Sequence, residues 1–365
     1  MDYTTIAPII RGVYFDGCKG PIVQYSKENV NNSVNIEIPK SADETNISEI
    51  LKNAASDKIP ASIHIKDIGT FLLGTRLDNV GKNLVKEEKA LKVSGKIAVV
   101  TGGAQGFGEQ LVRGLFKEGA IVAIVDMNFE GAKKLADTLN AEAKEERAFA
   151  CAVNVSDEES VKKMIDEIVS TVGGIDIFVN NAGVLKAGSV KELSLKDFHF
   201  VTDVNYIGYF LCAKFASPVM ALQNSASGGK YFTDIIQINS KSGLVGSNKN
   251  GAYAGGKFGG IGLTQSFALE LVTDNIKVNS ICPGNFFDGP LWSDPDRGLF
   301  VQYLNTGKVP GAKTVADVKK FYESKVPMGR GCEGGDVIKA LFYLVEQKYE
   351  TGQALPVTGG QVMLN

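Results

Sequence analysis

Ser240, Tyr253 and Lys257 lie in the run INSKSGLVGSNKNGAYAGGKFGG, with Lys257 four positions after Tyr253. Helix residues four apart share a face, so the phenol and the ammonium are expected to point into the same space. An unperturbed tyrosine has a pKa of about 10. A neighbouring cation favours the phenolate and lowers that value, which is expected to make Tyr253 a base usable near neutral pH. Ser240 brings a hydroxyl that can hold a substrate oxygen. These three residues become informative only with a glycine-rich turn upstream.

That turn is Thr101-Gly102-Gly103-Ala104-Gln105-Gly106-Phe107-Gly108, between the apolar run KIAVV and the helical pattern GEQLVRGLFKEG. Glycines let backbone turn tightly and approach a pyrophosphate, whose charge the following helix N-terminus favours. Asp126 ends the next apolar run, AIVAIVD. A carboxylate there accepts hydrogen bonds from an adenosine ribose and repels a 2′-phosphate, so NAD is expected over NADP. Asn180-Asn181-Ala182-Gly183 follows a later strand, where small residues suit a ligand lying across a sheet edge. Asn205 is a polar residue inside an otherwise apolar helical stretch.

The elements that must position these residues begin near Leu91, where β-branched runs alternate with amphipathic stretches. Leu111, Val112, Leu115 and Phe116 repeat at helical spacing and Gly119 stops that helix. FEGAKKLADTLNAEA predicts a helix and RAFACAVNV a third strand, and Ser156 with Glu159 predicts a capping-box start for the next helix. IDIFVNNAG, a long helix through Tyr206 to Met220, and FTDIIQINS continue the alternation. The expected architecture is an α/β, doubly wound parallel sheet with helices on both faces.

The chain has 365 residues, 44% of them hydrophobic, enough for a sizeable core and a smaller appended module. A net charge of −2 gives no footprint for nucleic acid, and no apolar run is long enough to suggest a membrane span. The start lacks the features of a secretion signal. Five scattered cysteines fit reduced thiols in a cytoplasmic protein. With His64 and His199 as the only histidines, no histidine-based metal site is expected.

Residues 1–90 break the rhythm. A polar stretch, NVNNSVNIEIPKSADETN, precedes ASIHIKDIGTFLLGTRLDNVGKNLVKEEKAL, read as a strand, a glycine turn and a helix. The division expected is an N-terminal extension over 1–90 and the α/β domain over 91–365.

Taken together, the motifs resemble the short-chain dehydrogenase/reductase family: the TGxxxGxG turn at Thr101 to Gly108, NNAG at Asn180 to Gly183, Asn205, Ser240, YxxxK at Tyr253 to Lys257, and the step Pro283-Gly284. The resemblance covers about Leu91 to Asn365. It implies a Rossmann-like fold, with Asn205, Ser240, Tyr253 and Lys257 as the catalytic set. It also implies that Gly102, Gln105, Gly106, Phe107, Gly108, Asp126, Asn154, Val155, Asn181, Ala182, Gly183, Pro283 and Gly284 hold NAD, joined by Tyr253 and Lys257. Asn205 would hold a water in a proton relay with Lys257, and the protein would form a homodimer or homotetramer through the helices carrying Asn205 and Tyr253. Two departures stand out: Asn154 replaces a frequent Asp, and Gly255-Gly256 replaces the usual Ala-Ser.

The runs IIQINSKSG, KFGGIGLTQSFALEL, KVPMGRGC and TGQALPVTGGQVM resemble the branch of that family whose members interconvert D-sorbitol 6-phosphate and D-fructose 6-phosphate with NAD. A phosphorylated substrate needs a cationic seat, for which Lys241 is the first candidate, followed by Lys186, Lys249 and Arg330. Set against this reading are a dehydrogenase of another polyol, a sugar acid or a hydroxyacyl substrate, and an inactive NAD-binding scaffold. IHIKDIGTFLLG resembles the tail of class II aldolase-like domains, but the metal-binding histidine cluster of those enzymes is missing here.

Overall fold

The computed structural model of the chain describes residues 2–54, 59–82, 91–305 and 307–363. It opens with helix α1 (Tyr3–Val13), strands β1 (Ile22–Ser26) and β2 (Val34–Ile36), helix α2 (Glu44–Ala54), and strands β3 (Ser62–Ile65) and β4 (Gly69–Gly74). The strands pair in the order β1-β4-β3-β2, with only β2 and β3 parallel. This region holds more order than its sequence suggests. ASIHI is β3, but the chain turns at Asp67 (φ 64°) and Gly69 and returns as a second strand. The polar stretch contains β2 and the start of α2, which bury Ile36, Ile47 and Leu51. The helix expected through LVKEEKAL, residues 84–91, lies outside the described residues except for Leu91.

Then β5 (Ile97–Thr101), α3 (Gly106–Lys117), β6 (Ile121–Asp126), α4 (Phe129–Ala143), β7 (Ala148–Ala152), α5 (Glu158–Val172) and β8 (Ile177–Asn180) alternate. Helix α6 (Leu195–Thr202) passes through a π-helical segment (Asp203–Ile207) into α7 (Gly208–Ala226). Strand β9 (Thr233–Ile238), helix α8 (Gly251–Leu271) and strand β10 (Ile276–Pro283) follow. An insertion of three short helices, α9 (Pro290–Ser293), α10 (Leu299–Asn305) and α11 (Val315–Glu323), precedes α12 (Gly334–Glu346) and β11 (Ala354–Val357).

The second sheet has seven strands in the order β11-β10-β9-β8-β5-β6-β7, all parallel. Strands buried on both faces read as continuous apolar runs, as Ile97–Val100 and Ile121–Val125 do. One apolar core joins the sheet to α3, α4 and α12, and a second joins it to α5 and α7. This is the Rossmann-like doubly wound fold that the alternation predicts. The strand order reverses between β5 and β8, and ligands of such sheets bind beyond the strand C-termini at that reversal. The glycine turn follows β5 and NNAG follows β8, so both motifs stand at it.

One helix start differs from expectation. Asp157 caps α5, accepting from Ser160 N at 2.7 Å. Ser156 instead donates its hydroxyl to Asn154 Oδ1 at 2.7 Å, which draws it back to the strand end and shifts the cap by one residue.

The two sheets are not separate bodies. The core that includes Ile6, Ile10 and Phe71 runs on to Val169 and Met220. Helix α1 crosses α7 so closely that a Cβ on Gly12 would lie 2.2 Å from Gln223 O.

Candidate active site

The turn after β5 depends on glycine in two ways. Gly102 and Gly106 take φ of 62°, a conformation L side chains rarely adopt. Gly108 is limited by contact instead: a Cβ there would lie 1.9 Å from Gly102 O. Gln105 caps α3 by position, yet its side chain makes no cap hydrogen bond to the first-turn amides. Helix N-terminal N–H groups without a protein partner suit a diphosphate, so the cradle fits a dinucleotide. Phe107 stacks on Phe286 at 4.5 Å between ring centroids. That contact ties the turn to the loop after Pro283, the last residue of β10, and Gly284, whose N–H donates to Val357 O.

Asp126 ends β6 and its carboxylate braces this turn. Oδ2 accepts from Ala104 N at 3.0 Å and Oδ1 from Asn128 N at 2.9 Å. Asn154, beyond β7 and expected among the NAD-holding residues, has its Oδ1 already engaged by Ser156 N and Oγ. Val155 is buried, and its side chain would lie 3.0 Å from a Cβ on Gly208; only its backbone can face a ligand.

NNAG is wired to the turn rather than simply adjacent. Asn181 Nδ2 donates to Thr101 O and Gly102 O, both at 3.0 Å, while Thr101 Oγ1 accepts from Asn181 N and Ala182 N. The Asn181 amide therefore positions the glycine turn. Asn205 sits in the π-helical segment, a form frequent at functional sites, and it is buried. Its Oδ1 accepts from Val184 N and its Nδ2 donates to Val184 O, both at 2.8 Å. A Cβ on Gly183 would lie 3.4 Å from Asn205 Oδ1 and 3.9 Å from Lys257 Nζ, so these three positions converge.

Ser240 follows β9 and Tyr253 and Lys257 lie in α8. The Ser240 hydroxyl accepts from Ser242 N at 3.1 Å and lies near enough to the Tyr253 phenol to favour its ionised form. Lys257 Nζ lies 5.6 Å from the Tyr253 ring centroid and donates to Ile238 O at 2.8 Å. The sequence brings the trio together as expected, but the electrostatics differ. Burial pushes the Tyr253 phenol up from its ordinary value, and the nearby Ser240 hydroxyl only partly opposes it. Burial also pushes Lys257 down to about 8. The expected depression of Tyr253 by Lys257 is absent, because both charged forms are disfavoured in a dry site. Cys282, on β10 beside this group, is pushed up to about 12 by burial and stays a thiol.

The candidate phosphate ligands separate. Lys241 is next to Ser240 and half-buried, and Lys249 is exposed just before α8. Lys186 is exposed on the loop after NNAG. Arg330 is engaged twice by Asp336, at 2.7 and 2.9 Å, and lines a hollow of about 490 Å³ with Lys339, Thr358 and Gly360. That hollow contains none of Ser240, Tyr253 and Lys257, so Arg330 offers the site no free cation. Lys308, beside the aromatic-rich insertion, lies over the Tyr303 ring. Among the described residues no group of three or more His, Cys, Asp or Glu could hold a metal, and no helix is long and apolar enough to cross a membrane.

Residues 96–291 match the short chain dehydrogenase family, and the chain belongs to that family of nicotinamide-dependent oxidoreductases. It is 40% identical over 271 residues to sorbitol-6-phosphate 2-dehydrogenase of Escherichia coli (strain K12), covering 73% of this chain and 99% of that enzyme. Among solved structures, sorbitol-6-phosphate 2-dehydrogenase from Erwinia amylovora superposes with a TM-score of 0.67 at 40% identity, over 73% of this chain and 100% of the other. A variant actinorhodin polyketide ketoreductase with NADPH gives 0.66 at 28% identity, over 75% and 99%.

Proposed function

We propose that this chain is an NAD-dependent dehydrogenase interconverting D-sorbitol 6-phosphate and D-fructose 6-phosphate at C2. The observation that carries the reading is the Ser240–Tyr253 hydroxyl pair with Lys257 beside it, set at the strand-order reversal next to an uncapped helix N-terminus. The substrate assignment draws on the likeness to the two sorbitol-6-phosphate 2-dehydrogenases.

In the oxidative direction, Tyr253 as phenolate takes the proton of the C2 hydroxyl while the C2–H bond breaks with its electron pair. A bound oxidised nicotinamide supplies the acceptor for that pair and a positive charge in the site. Ser240 orients the substrate oxygen and stabilises the charge developing on it. Lys257 would hold the nicotinamide ribose. Because the Asn205 side chain is closed on Val184, its backbone is what remains for a water relay with Lys257. Alcohol and oxidised cofactor become ketone, reduced cofactor and one proton.

Gly102, Gln105, Gly106, Phe107, Gly108, Ala182, Gly183, Pro283 and Gly284 would line the dinucleotide, with Asp126 on the adenosine ribose. The Asp126 carboxylate disfavours a 2′-phosphate, which supports NAD over NADP. The protein is further proposed to self-associate through α7 and α8, where Phe210, Phe258 and Leu269 stand exposed.

The test is NADH formation by the full-length protein with sorbitol 6-phosphate, mannitol 1-phosphate and free sorbitol, repeated with NADP. Preference for sorbitol 6-phosphate and NAD supports the reading. Turnover of free sorbitol at equal kcat/KM, or preference for NADP, rejects the corresponding part.

A further inference from the structure

Asn239, between the end of β9 and Ser240, is buried, and its side-chain amide spans two members of the site. Its Oδ1 accepts from Ser240 N at 2.8 Å. Its Nδ2 donates to Lys257 O at 2.9 Å and to Gln237 Oε1 at 2.8 Å. A backbone N–H only donates and a backbone carbonyl only accepts, so Ser240 N and Lys257 O together fix which way the amide points. The fit is close: a Cβ on Gly243 would lie 2.2 Å from Asn239 Oδ1 and 3.0 Å from Lys257 O.

Lys257 is therefore held at both ends by the exit of one strand. Its Nζ donates to Ile238 O at 2.8 Å, and its backbone oxygen accepts from the side chain of the next residue along. Carbonyls in a helix interior already accept within their own helix. The bond from Asn239 thus joins α8 to the strand end that carries Ser240. Behind Asn239 a buried polar chain leads away from the site. Ser280 Oγ donates to Gln237 Oε1 at 3.0 Å and lies 2.7 Å from Thr264 Oγ1, which in turn lies 3.1 Å from the Tyr209 hydroxyl. Connected buried networks of this kind hold one arrangement of the elements they join.

We propose that Asn239 is a positioning residue for hydride transfer: its amide sets the place of Lys257 relative to Ser240 and touches neither substrate nor cofactor. The proposal rests on the reading of this site as a hydride-transfer centre, from which Ser240 and Lys257 take their roles. It adds the residue that fixes their spacing.

The test uses full-length Asn239→Asp and Asn239→Ser, with Tyr209→Phe as the control that trims the far end of the same polar chain. An ionised Asp keeps an acceptor for Ser240 N and loses the donors to Lys257 O and Gln237. A Ser hydroxyl is too short to reach both groups, and it carries the test should the buried charge keep Asn239→Asp from folding. Each variant is measured for melting temperature, for kcat and KM with sorbitol 6-phosphate and NAD, and for NADH affinity by fluorescence titration. Misplacing Ser240 and Lys257 should lower kcat by about 10–10²-fold while KM for the sugar phosphate moves by less than about threefold. NADH binding should weaken as well, since a shifted Lys257 meets the ribose poorly. Tyr209→Phe should lower the melting temperature and leave kcat and NADH affinity unchanged. Wild-type kcat and NADH affinity in folded Asn239→Ser would overturn the proposal, as would equal losses in Tyr209→Phe. If the wild type fails to turn over sorbitol 6-phosphate, the substrate reading falls and NADH affinity decides. Weakening confined to the Asn239 variants then upholds the positioning role, and unchanged affinity removes it.

Discussion

Arg11, in the first helix of the chain, is ion-paired with Asp176, the residue before β8, and neither side chain reaches solvent. The same carboxylate accepts from Ile97 N at 2.7 Å and Gln223 Nε2 at 2.8 Å, so one buried group joins α1, β5 and α7. Burial pushes the Asp176 carboxyl up, but the Arg11 guanidinium outweighs it and the net direction is down. Arg11→Met would leave that charge buried without its partner, a loss that typically costs about 3–5 kcal/mol. Urea unfolding should show this in one transition covering both sheets. A loss below about 1 kcal/mol, or separate transitions for the two sheets, would contradict it.

Lys257 gives a pH dependence with a definite sign. Its folded value, about 8, lies below its ordinary 10.5, so between those values the unfolded chain binds a proton that the folded protein does not. Stability contributed by this group therefore rises with pH across that window. Compared with Lys257→Met, the wild type should gain up to about 1.4 kcal/mol per pH unit above pH 8, read from denaturant midpoints. Parallel pH profiles would show that Lys257 keeps its proton in the folded state.

Gly255 is an exposed glycine inside α8, and a methyl there would meet nothing within 4 Å. Helix glycine costs about 0.5–1 kcal/mol relative to alanine. Gly255→Ala should raise stability by that order and leave KM unchanged. A drop in melting temperature would mean that the position is covered.

How much of this could be read from the sequence depended on how local each feature is. The parallel sheet was legible because each strand and helix carries its own period, and the trio because Tyr253 and Lys257 share one helix. The N-terminal sheet was not, since strands as short as Val34–Ile36 leave too few residues for a pattern. Arg11 and Asp176 meet across most of the extension and three βα units, and neither residue type announces a buried pair. The phenol was misjudged for another reason: spacing gives proximity, whereas the direction of a pKa also depends on how dry the site is.

The central claim is that Tyr253 is the base for proton removal at C2. The most direct test is steady-state NADH formation from sorbitol 6-phosphate by full-length Tyr253→Phe, with NADH affinity measured on the same sample. Loss of a positioned general base should lower kcat by about 10²–10⁴-fold, with NADH affinity close to wild type. Near-normal kcat in that variant would contradict the account.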